Sequence, residues 1–427
     1  MRDLEAARAK TLWLLDKVPD EFLKVRVHSF YSPIGWHFGH IGRTEEYWIS
    51  HKAFGRPVSD SHLSFLFADL PDNPKDNRVN LPSREEIKKY LLDTRRATLH
   101  DLESCELCGS AYFDEGYAWD FALQHECQHQ ETICEMLQLI QKQRALTGYL
   151  PVATGIGDLN GTRNWGVAQP TEFVGIPADK FNMGSCAACV YDNEKQLHEV
   201  SVEGFALGRT QVTANQWLDF MRDGGYERRD LWSSAGWAWG EAEGATAPEY
   251  WLLVDGDYFY IGAQGLRAMD PQEAVSSIGW YEAEAYLKWA GMRFPTEEEW
   301  EYAASFNPNA SQCSQFPWGE EEPTREIANH GISNSGPQAV GRTSGESAFG
   351  IRDMAGNVWE WTSSKFFPYP GFEAFPYDGY SKDHMKGEHY VCRGGSWATA
   401  APILRCTFRN WYVPTYRQGF LGLRAAR

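Results

Sequence analysis

Apolar residues recur at helical spacing in four stretches of the first third of the chain: Leu4–Val18, Ile41–Ala53, Arg84–Leu102 and Tyr117–Ile140. Positions i, i+3, i+4 and i+7 share one side of an α-helix, so each stretch predicts a helix with one apolar face. Ser83 stands just before the third, and Glu86, three residues on, completes a capping box. Each apolar stripe must be buried against another, which predicts a four-helix, up-and-down bundle.

The pattern changes after about residue 155. Segments shorten, Gly, Trp and Pro become frequent, and helical periodicity survives in Thr213–Met221, Tyr281–Ala290 and Glu297–Ala304. The stretch Arg222–Gly265 is aromatic and has little periodicity. Loops of such length are normally functional or specially stapled. The expected fold class is α+β, with a helical domain over 1–155 and a loop-rich domain over 156–427. Two domains also suit the length, because 427 residues exceed what one hydrophobic core normally serves.

Composition narrows the function classes. A net charge of −18 would repel a polyanion, so nucleic acid is not an expected partner. No apolar run approaches the length of a membrane span, and charged residues interrupt the N-terminal segment where a signal peptide would need an apolar stretch. A cytoplasmic protein is expected, a monomer by default. Nine cysteines, an odd number, fit reduced thiols better than a disulfide framework. The CxxC pairs Cys105/Cys108 and Cys186/Cys189 are too far apart in sequence for a zinc knuckle and read as incidental. Cys127 and Cys134 read as core fillers.

The sharpest local chemistry is His125-Glu126-Cys127-Gln128-His129, inside the fourth predicted helix. Imidazoles four residues apart share a helix face and can address one ion. A third ligand is available from Trp36-His37-Phe38-Gly39-His40, where either His37 or His40 can face inward and only one is needed. Gly39 and Gly42 would allow close helix approach, and Glu126 and Glu131 could orient imidazoles. His28, His51 and His100 read as ordinary surface or boundary histidines. Three imidazoles suit divalent Fe, Zn or Cu and leave coordination positions open. The same string satisfies the HExxH pattern of zinc proteases, with Glu126 as general base, but no further protease signature follows it.

Longer motifs bring a resemblance. Phe181-Asn182-Met183-Gly184-Ser185, Arg293-Phe294-Pro295-Thr296, Asp353-Met354-Ala355-Gly356-Asn357-Val358-Trp359, Arg393-Gly394-Gly395-Ser396-Trp397 and Gly422-Leu423-Arg424 are similar to strings of the formylglycine-generating-enzyme fold, a C-type-lectin-like domain. Joined to a DinB-like bundle carrying HxxxH, the whole chain resembles the EgtB-type hercynine-dependent sulfoxide synthases of ergothioneine biosynthesis. The resemblance implies Fe(2+) held by His40, His125 and His129, with hercynine, a thiol donor and O2 as substrates. Hercynine would meet Gln128, Tyr380, Asn410 and Trp411, and Tyr377 would donate a proton near the sulfur.

The likeness breaks at the donor site. Members using γ-glutamylcysteine carry an Asp and an Arg where this chain has Tyr412 and Tyr416; Arg417 fits a neighbouring structural position. The segment Asp72–Arg84 lacks the family's paired arginines, leaving Arg78 and Arg84 as substitutes. A donor other than γ-glutamylcysteine is expected: free cysteine, or a neutral sugar-like molecule against Tyr412 and Tyr416. The related selenoneine synthases of the SenA type join hercynine to a selenosugar, so a selenol donor is the alternative.

Two other classes fit less well. Formylglycine generation needs closely spaced cysteines near the C-terminus, whereas Cys392 and Cys406 are fourteen apart. A lectin-like binding module with a structural metal would be unusual with three His and no Cys.

Overall fold

The computed structural model describes residues 1–107, 109–148 and 165–427. The chain divides into two compact units, Met1–Tyr149 and Leu150–Arg427. The boundary expected between residues 155 and 156 lies outside the described residues, as does Cys108 of the first CxxC pair.

The first unit contains α1 (Arg2–Leu15), α2 (Ile34–Glu45), α3 (Ser61–Leu66), α4 (Arg84–Ser104) and α5 (Tyr117–Leu146). Helices α1, α2, α4 and α5 pack on one another as a bundle. The Ser83/Glu86 capping box forms at the start of α4. Asp60 caps the short α3, accepting from the amides of His62 and Leu63. Helix α2 begins earlier than Ile41, directly after the extended Pro33. Its first two turns, Ile34 to Ile41, are buried on every side, so they show none of the polar contrast that marks an amphipathic helix. From Glu46 to Ala53 the helix continues as a π-helical segment.

Apolar side chains such as Leu15, Ile34, Phe38, Ile49, Leu91, Ile133, Met136 and Ile140 are almost fully buried in this unit. Among them sits a knot of charge. Glu45 of α2 and Glu126 of α5 are both held by Arg8 of α1 and Arg95 of α4, and all four side chains are at most 5% exposed. Arg8 Nε lies 2.9 Å from Glu126 and Arg95 Nε 2.8 Å from Glu45. Thr11 Oγ1 donates to Glu126 at 2.6 Å. Burial alone would push the Glu45 carboxyl up, but Arg8 and Arg95 outweigh it and hold it down at about 2.

The second unit is built from short strands. The pairs β1 (Phe173–Ile176) with β4 (Phe205–Gly208), and β2 (Asp179–Met183) with β3 (His198–Val202), are antiparallel. A meander follows, made of β5 (Trp251–Val254), β6 (Asp257–Gly262) and β7 (Gly265–Ala268). After the two-residue strands β8 (Phe306–Asn307) and β9 (Gln312–Cys313) comes the largest sheet. It joins β10 (Trp359–Lys365), β11 (Tyr390–Arg393), β12 (Asn410–Tyr412) and β13 (Leu421–Gly422) in the order β12-β11-β10-β13. Helices α6 (Ala214–Arg222), α8 (Trp280–Ala290) and α9 (Glu297–Ser305) match the three predicted ones. Thr213 with Gln216 and Thr296 with Glu299 form capping boxes on α6 and α9.

The stretch Arg222–Gly265 is more ordered than its pattern predicts, holding α7 (Ser234–Glu243), β5 and β6. Only Gly236 of α7 is buried, so that helix has no apolar stripe to read. Its ends are set locally, by Ser233 accepting from the Gly236 amide and by Gly244 at φ 68°.

Aromatic and charged staples replace long sheets in this unit. Trp217, Trp300, Trp359, Trp361 and Trp397 are fully buried, together with Arg393, Arg409 and Arg424. Arg424 grips Glu360 with two bonds of 2.9 and 2.7 Å, and Trp300 Nε1 donates to the same carboxylate at 2.7 Å. Arg409 pairs with Glu297 and donates to the Asn193 carbonyl at 2.9 Å; Arg393 donates to the carbonyls of Thr407 and Phe408 at 2.8 Å. Loop backbone left without ladder partners is satisfied in this way. Among the described residues no helix is long and apolar enough to cross a membrane.

Removing one guanidinium from the bundle's knot leaves carboxylates buried without compensation. Arg95→Leu is expected to destabilise the first unit by about 3–5 kcal/mol, read by urea unfolding at neutral pH. Glu45 also makes stability pH-dependent. Its folded value lies below the ordinary 4.5, so its contribution is complete above 4.5 and is lost as pH falls toward 2. Without Arg95 the folded value of Glu45 rises, so protonation relieves the buried charge and the destabilisation by Arg95→Leu should shrink as pH falls through the carboxyl range.

Candidate metal centre

Helix α5 carries His125 and His129 one turn apart, and α2 presents His40 to them. One ligand atom from each of these three imidazoles lies within 4.8 Å of the other two. The ring centroids are 4.9 Å apart for His40–His125 and His40–His129, and 4.5 Å for His125–His129.

The orientation of His40 is fixed from behind. Its Nδ1 donates to the carbonyl of Phe67, just past the end of α3, at 2.7 Å. That tautomer leaves Nε2 as a bare acceptor, 3.2 Å from Nε2 of His125. Trp36, one turn earlier on α2, stacks on the His40 ring at 4.4 Å and 15°. Gly39 lets this arrangement close. A Cβ there would stand 2.1 Å from the Phe67 ring, the same residue whose carbonyl holds His40. Gly42 similarly gives room to Tyr90, where a Cβ would lie at 3.0 Å.

Electrostatics keep the cluster neutral. Burial pulls His40 from 6.5 down to about 4. Burial first, and then the neighbouring imidazoles, hold His129 well below its ordinary value; His125 is lowered by burial and then by His40. Neutral imidazoles are the form that binds metal. One pair of donors already stands at the spacing an ion would impose. A divalent ion about 2.0–2.1 Å from each nitrogen, at angles of about 90–109°, would set neighbouring nitrogens about 2.9–3.4 Å apart. The observed Nε2–Nε2 separation of 3.2 Å falls in that range. Imidazole donors accept Fe, Zn or Cu, so geometry alone leaves the metal open.

His37 is also buried, with its Nδ1 3.1 Å from Nδ1 of His129. His28, His51 and His100 lie outside the cluster, and Cys127 and Cys134 are core residues, 2% and 1% exposed. The expectation that Glu126 orients an imidazole is not met. Its carboxylate is taken by Arg8, Arg95 and Thr11, on the other side of α5 from a ligand role. The same pairing removes the general base that a protease reading of HExxH requires.

The second unit holds the aromatic residues. Trp411 on β12 stacks on Phe366 at 4.1 Å and 9°. Tyr380 meets Trp411 edge-on at 5.9 Å, and Tyr377 meets Tyr380 at 6.5 Å. Asp192 pins both ends of their loop, accepting from the Phe375 amide at 3.1 Å and from Ser381 Oγ. His384, not anticipated from the sequence, leans on Trp411 at 5.6 Å. Asn410 and Tyr412 point to the strand face opposite Trp411, and Asn410 Nδ2 lies 3.4 Å from the Tyr412 hydroxyl. Tyr412 stacks on Tyr416 at 4.2 Å and 11°; Tyr416 is buried behind it, whereas Tyr377 is 41% exposed. Gln128 is half-buried, one position before His129 on α5.

The arginines proposed as replacements for a charged clamp are committed elsewhere. Arg78 bonds Asn73, Ser32 and Asp69, and Arg84 bonds Asp20 and the carbonyl of Val18. Arg417 is buried against Glu282 at 3.0 Å, a structural pairing. Cys392 and Cys406 lie in the core, and burial pushes both thiols up, away from the thiolate form that binds copper.

A helical unit with converging imidazoles, followed by a loop-rich unit stapled by Trp and Arg, is the architecture that known domain families also delineate. The DinB superfamily matches residues 3–133, and the sulfatase-modifying factor enzyme 1-like domain matches residues 163–427. Full-length relatives share both. The hercynine oxygenase of Mycolicibacterium thermoresistibile is 37% identical, covering 100% of this chain and 94% of that protein. Those of Mycolicibacterium smegmatis and Mycobacterium tuberculosis are 35% and 36% identical, each covering 99% of this chain and 97% of the relative. The chain belongs to the hercynine oxygenase family.

Gly39 gives a local test of how tightly the centre is built. Gly39→Ala should force the Phe67 ring away and cost about 1–3 kcal/mol by overpacking, visible as a lowered melting temperature of the metal-free protein.

Proposed function

We propose that the protein couples hercynine to a thiol donor at the imidazole C2, using O2 and a mononuclear iron held by His40, His125 and His129. The observation that carries this reading is the convergence of those three ligand atoms within 4.8 Å, from two helices of a chain in the hercynine oxygenase family. The stoichiometry closes without another reductant: hercynine + RSH + O2 → sulfoxide + H2O. The C2–H and S–H hydrogens leave as water with one oxygen atom, and the sulfur keeps the other.

Iron, when bound, supplies the one-electron chemistry that O2 needs to react with closed-shell substrates. The protein's own groups do the rest. Neutral imidazoles, His125 buried and His129 partly so, provide a ligand set that leaves positions open. Trp411 and Tyr380, each with one face already stacked, on Phe366 and on Tyr191, are the rings assigned to a trimethylammonium group. Gln128 takes a polar hercynine contact on the strength of the family resemblance; the resemblance gives Asn410 the same part, although its side chain lies beside Tyr412, on the strand face opposite Trp411. Tyr377, with its ring partly exposed and its loop pinned by Asp192, is assigned proton delivery.

The donor is argued from what the clamp positions hold. Tyr412 presents a ring backed by Tyr416, and Arg78, Arg84 and Arg417 are all paired internally. Aromatic faces suit a neutral, sugar-like molecule better than the two carboxylates of γ-glutamylcysteine. A second reading follows from the same observation: C–Se bond formation with a selenosugar, giving a selenoxide.

Anaerobic iron loading followed by hercynine, O2 and each donor in turn tests both readings. Coupled product is expected with cysteine or with a thio- or selenosugar, and His129→Ala should lose iron and turnover together. If γ-glutamylcysteine is much the best donor, the donor assignment is wrong. If no donor drives O2 consumption in the iron-loaded protein, the oxidative reading as a whole is wrong. Tyr377→Phe should retain iron but divert the reaction toward oxidation of the thiol alone; unchanged rate and product would remove Tyr377 from proton delivery.

A further inference from the structure

His37, the other histidine offered by the sequence as a third ligand, is a buried imidazole beside the cluster. It lies on α2 three residues before His40, and its Nδ1 faces Nδ1 of His129 at 3.1 Å, with the rings 5.2 Å apart. It is outside the set of three whose ligand atoms lie within 4.8 Å of one another. Two nitrogens at hydrogen-bond distance must share one hydrogen, and which ring carries it decides what His129 can do. If His37 donated, His129 would keep its own hydrogen on Nε2 and have no lone pair there. If His129 donates, its Nε2 is bare.

We propose that His37 is a positioning residue that accepts a hydrogen bond from Nδ1–H of His129, fixing the tautomer in which Nε2 of His129 is available to a metal ion. The inference rests on the metal-ligand reading given above. His40 supplies the parallel: its Nδ1–H is held by the Phe67 carbonyl, leaving its Nε2 facing the cluster. Metal-binding histidines generally have their second nitrogen anchored in this manner, and losing such an anchor typically costs 10–100-fold in affinity. Here one anchor is a backbone carbonyl and the other a side chain, so only the second can be removed by mutation. With Nδ1 accepting, His37 carries its hydrogen on Nε2, an atom with no hydrogen-bond partner among the described residues, so this tautomer costs one unpartnered N–H.

The test uses the full-length protein and Co(II) as probe, with affinity measured by chelator competition and geometry by ligand-field absorption. His37→Asn keeps an acceptor close to the Nδ1 position; His37→Gln moves its amide toward the Nε2 position; His37→Leu has no acceptor. His37→Asn should bind Co(II) nearly as the parent does, with an unchanged spectrum. His37→Leu and His37→Gln should weaken it by about 10–100-fold and alter the spectrum. Parent-like affinity in His37→Leu, or equal loss in His37→Asn and His37→Gln, would overturn the proposal. Should His37→Leu not fold, the comparison of Asn with Gln decides alone. Failure of the underlying reading looks different: the parent would bind no stoichiometric Co(II), or His129→Ala would bind it equally well.

Discussion

The register of α2 against α5 is the constraint on which the candidate centre depends, and a buried charge knot fixes it. Glu45 lies on α2 beyond His40, and Glu126 follows His125 on α5. Both carboxylates are gripped by the same two guanidiniums, Arg8 from α1 and Arg95 from α4. Apolar packing alone tolerates small axial slides, because hydrophobic contact is non-directional. Two Arg–carboxylate bridges at 2.8–2.9 Å do not. A buried ion pair is weak evidence for added stability, since desolvation offsets much of its attraction. Its use as a register device is better supported, and here it ties four helices at the level where the ligands leave the backbone.

The same knot separates two polarities within one helix. On α5, Glu126 and Gln130 turn toward α1, where Gln130 donates to the Ala7 carbonyl at 2.8 Å. His125 and His129 turn toward α2. The charged side is fully compensated, and the imidazole side stays neutral because burial outweighs every other influence on it. A centre that must bind a cation gains from this division. Imidazoles held neutral in this way would need to lose no proton to take up an ion.

Much of this was legible in the sequence, and the failures have a common cause. The i, i+4 spacing of His125 and His129, the Ser83/Glu86 capping box and the helices Ala214–Arg222, Trp280–Ala290 and Glu297–Ser305 are local features, and local features survive in a linear reading. Glu126 was misread because its partners lie 118 and 31 residues away, beyond any motif. The Phe67 carbonyl that orients His40 is backbone and leaves no trace in residue type. Helix α7 was missed for the opposite reason, since it buries almost nothing and has no face to betray it. Trp36 was readable in principle: one turn before His40, it had to share that ligand's helix face.

The loop-rich unit follows a different economy of order. Its strands are short, and its recurrent strings turn out to be the staples themselves: Arg393, Trp359, Trp397 and Arg424 come from the motifs that carried the resemblance, and all are buried. Specificity is free to vary only where a side chain is not a staple. Tyr412 fits that condition, standing on the face of β12 opposite Trp411 and backed by Tyr416. Arg417, one residue further on, does not, because its guanidinium completes the pairing with Glu282. If the donor meets β12 as proposed, a change of donor chemistry would fall on positions such as Tyr412, whereas the neighbouring charge is held in its pairing with Glu282.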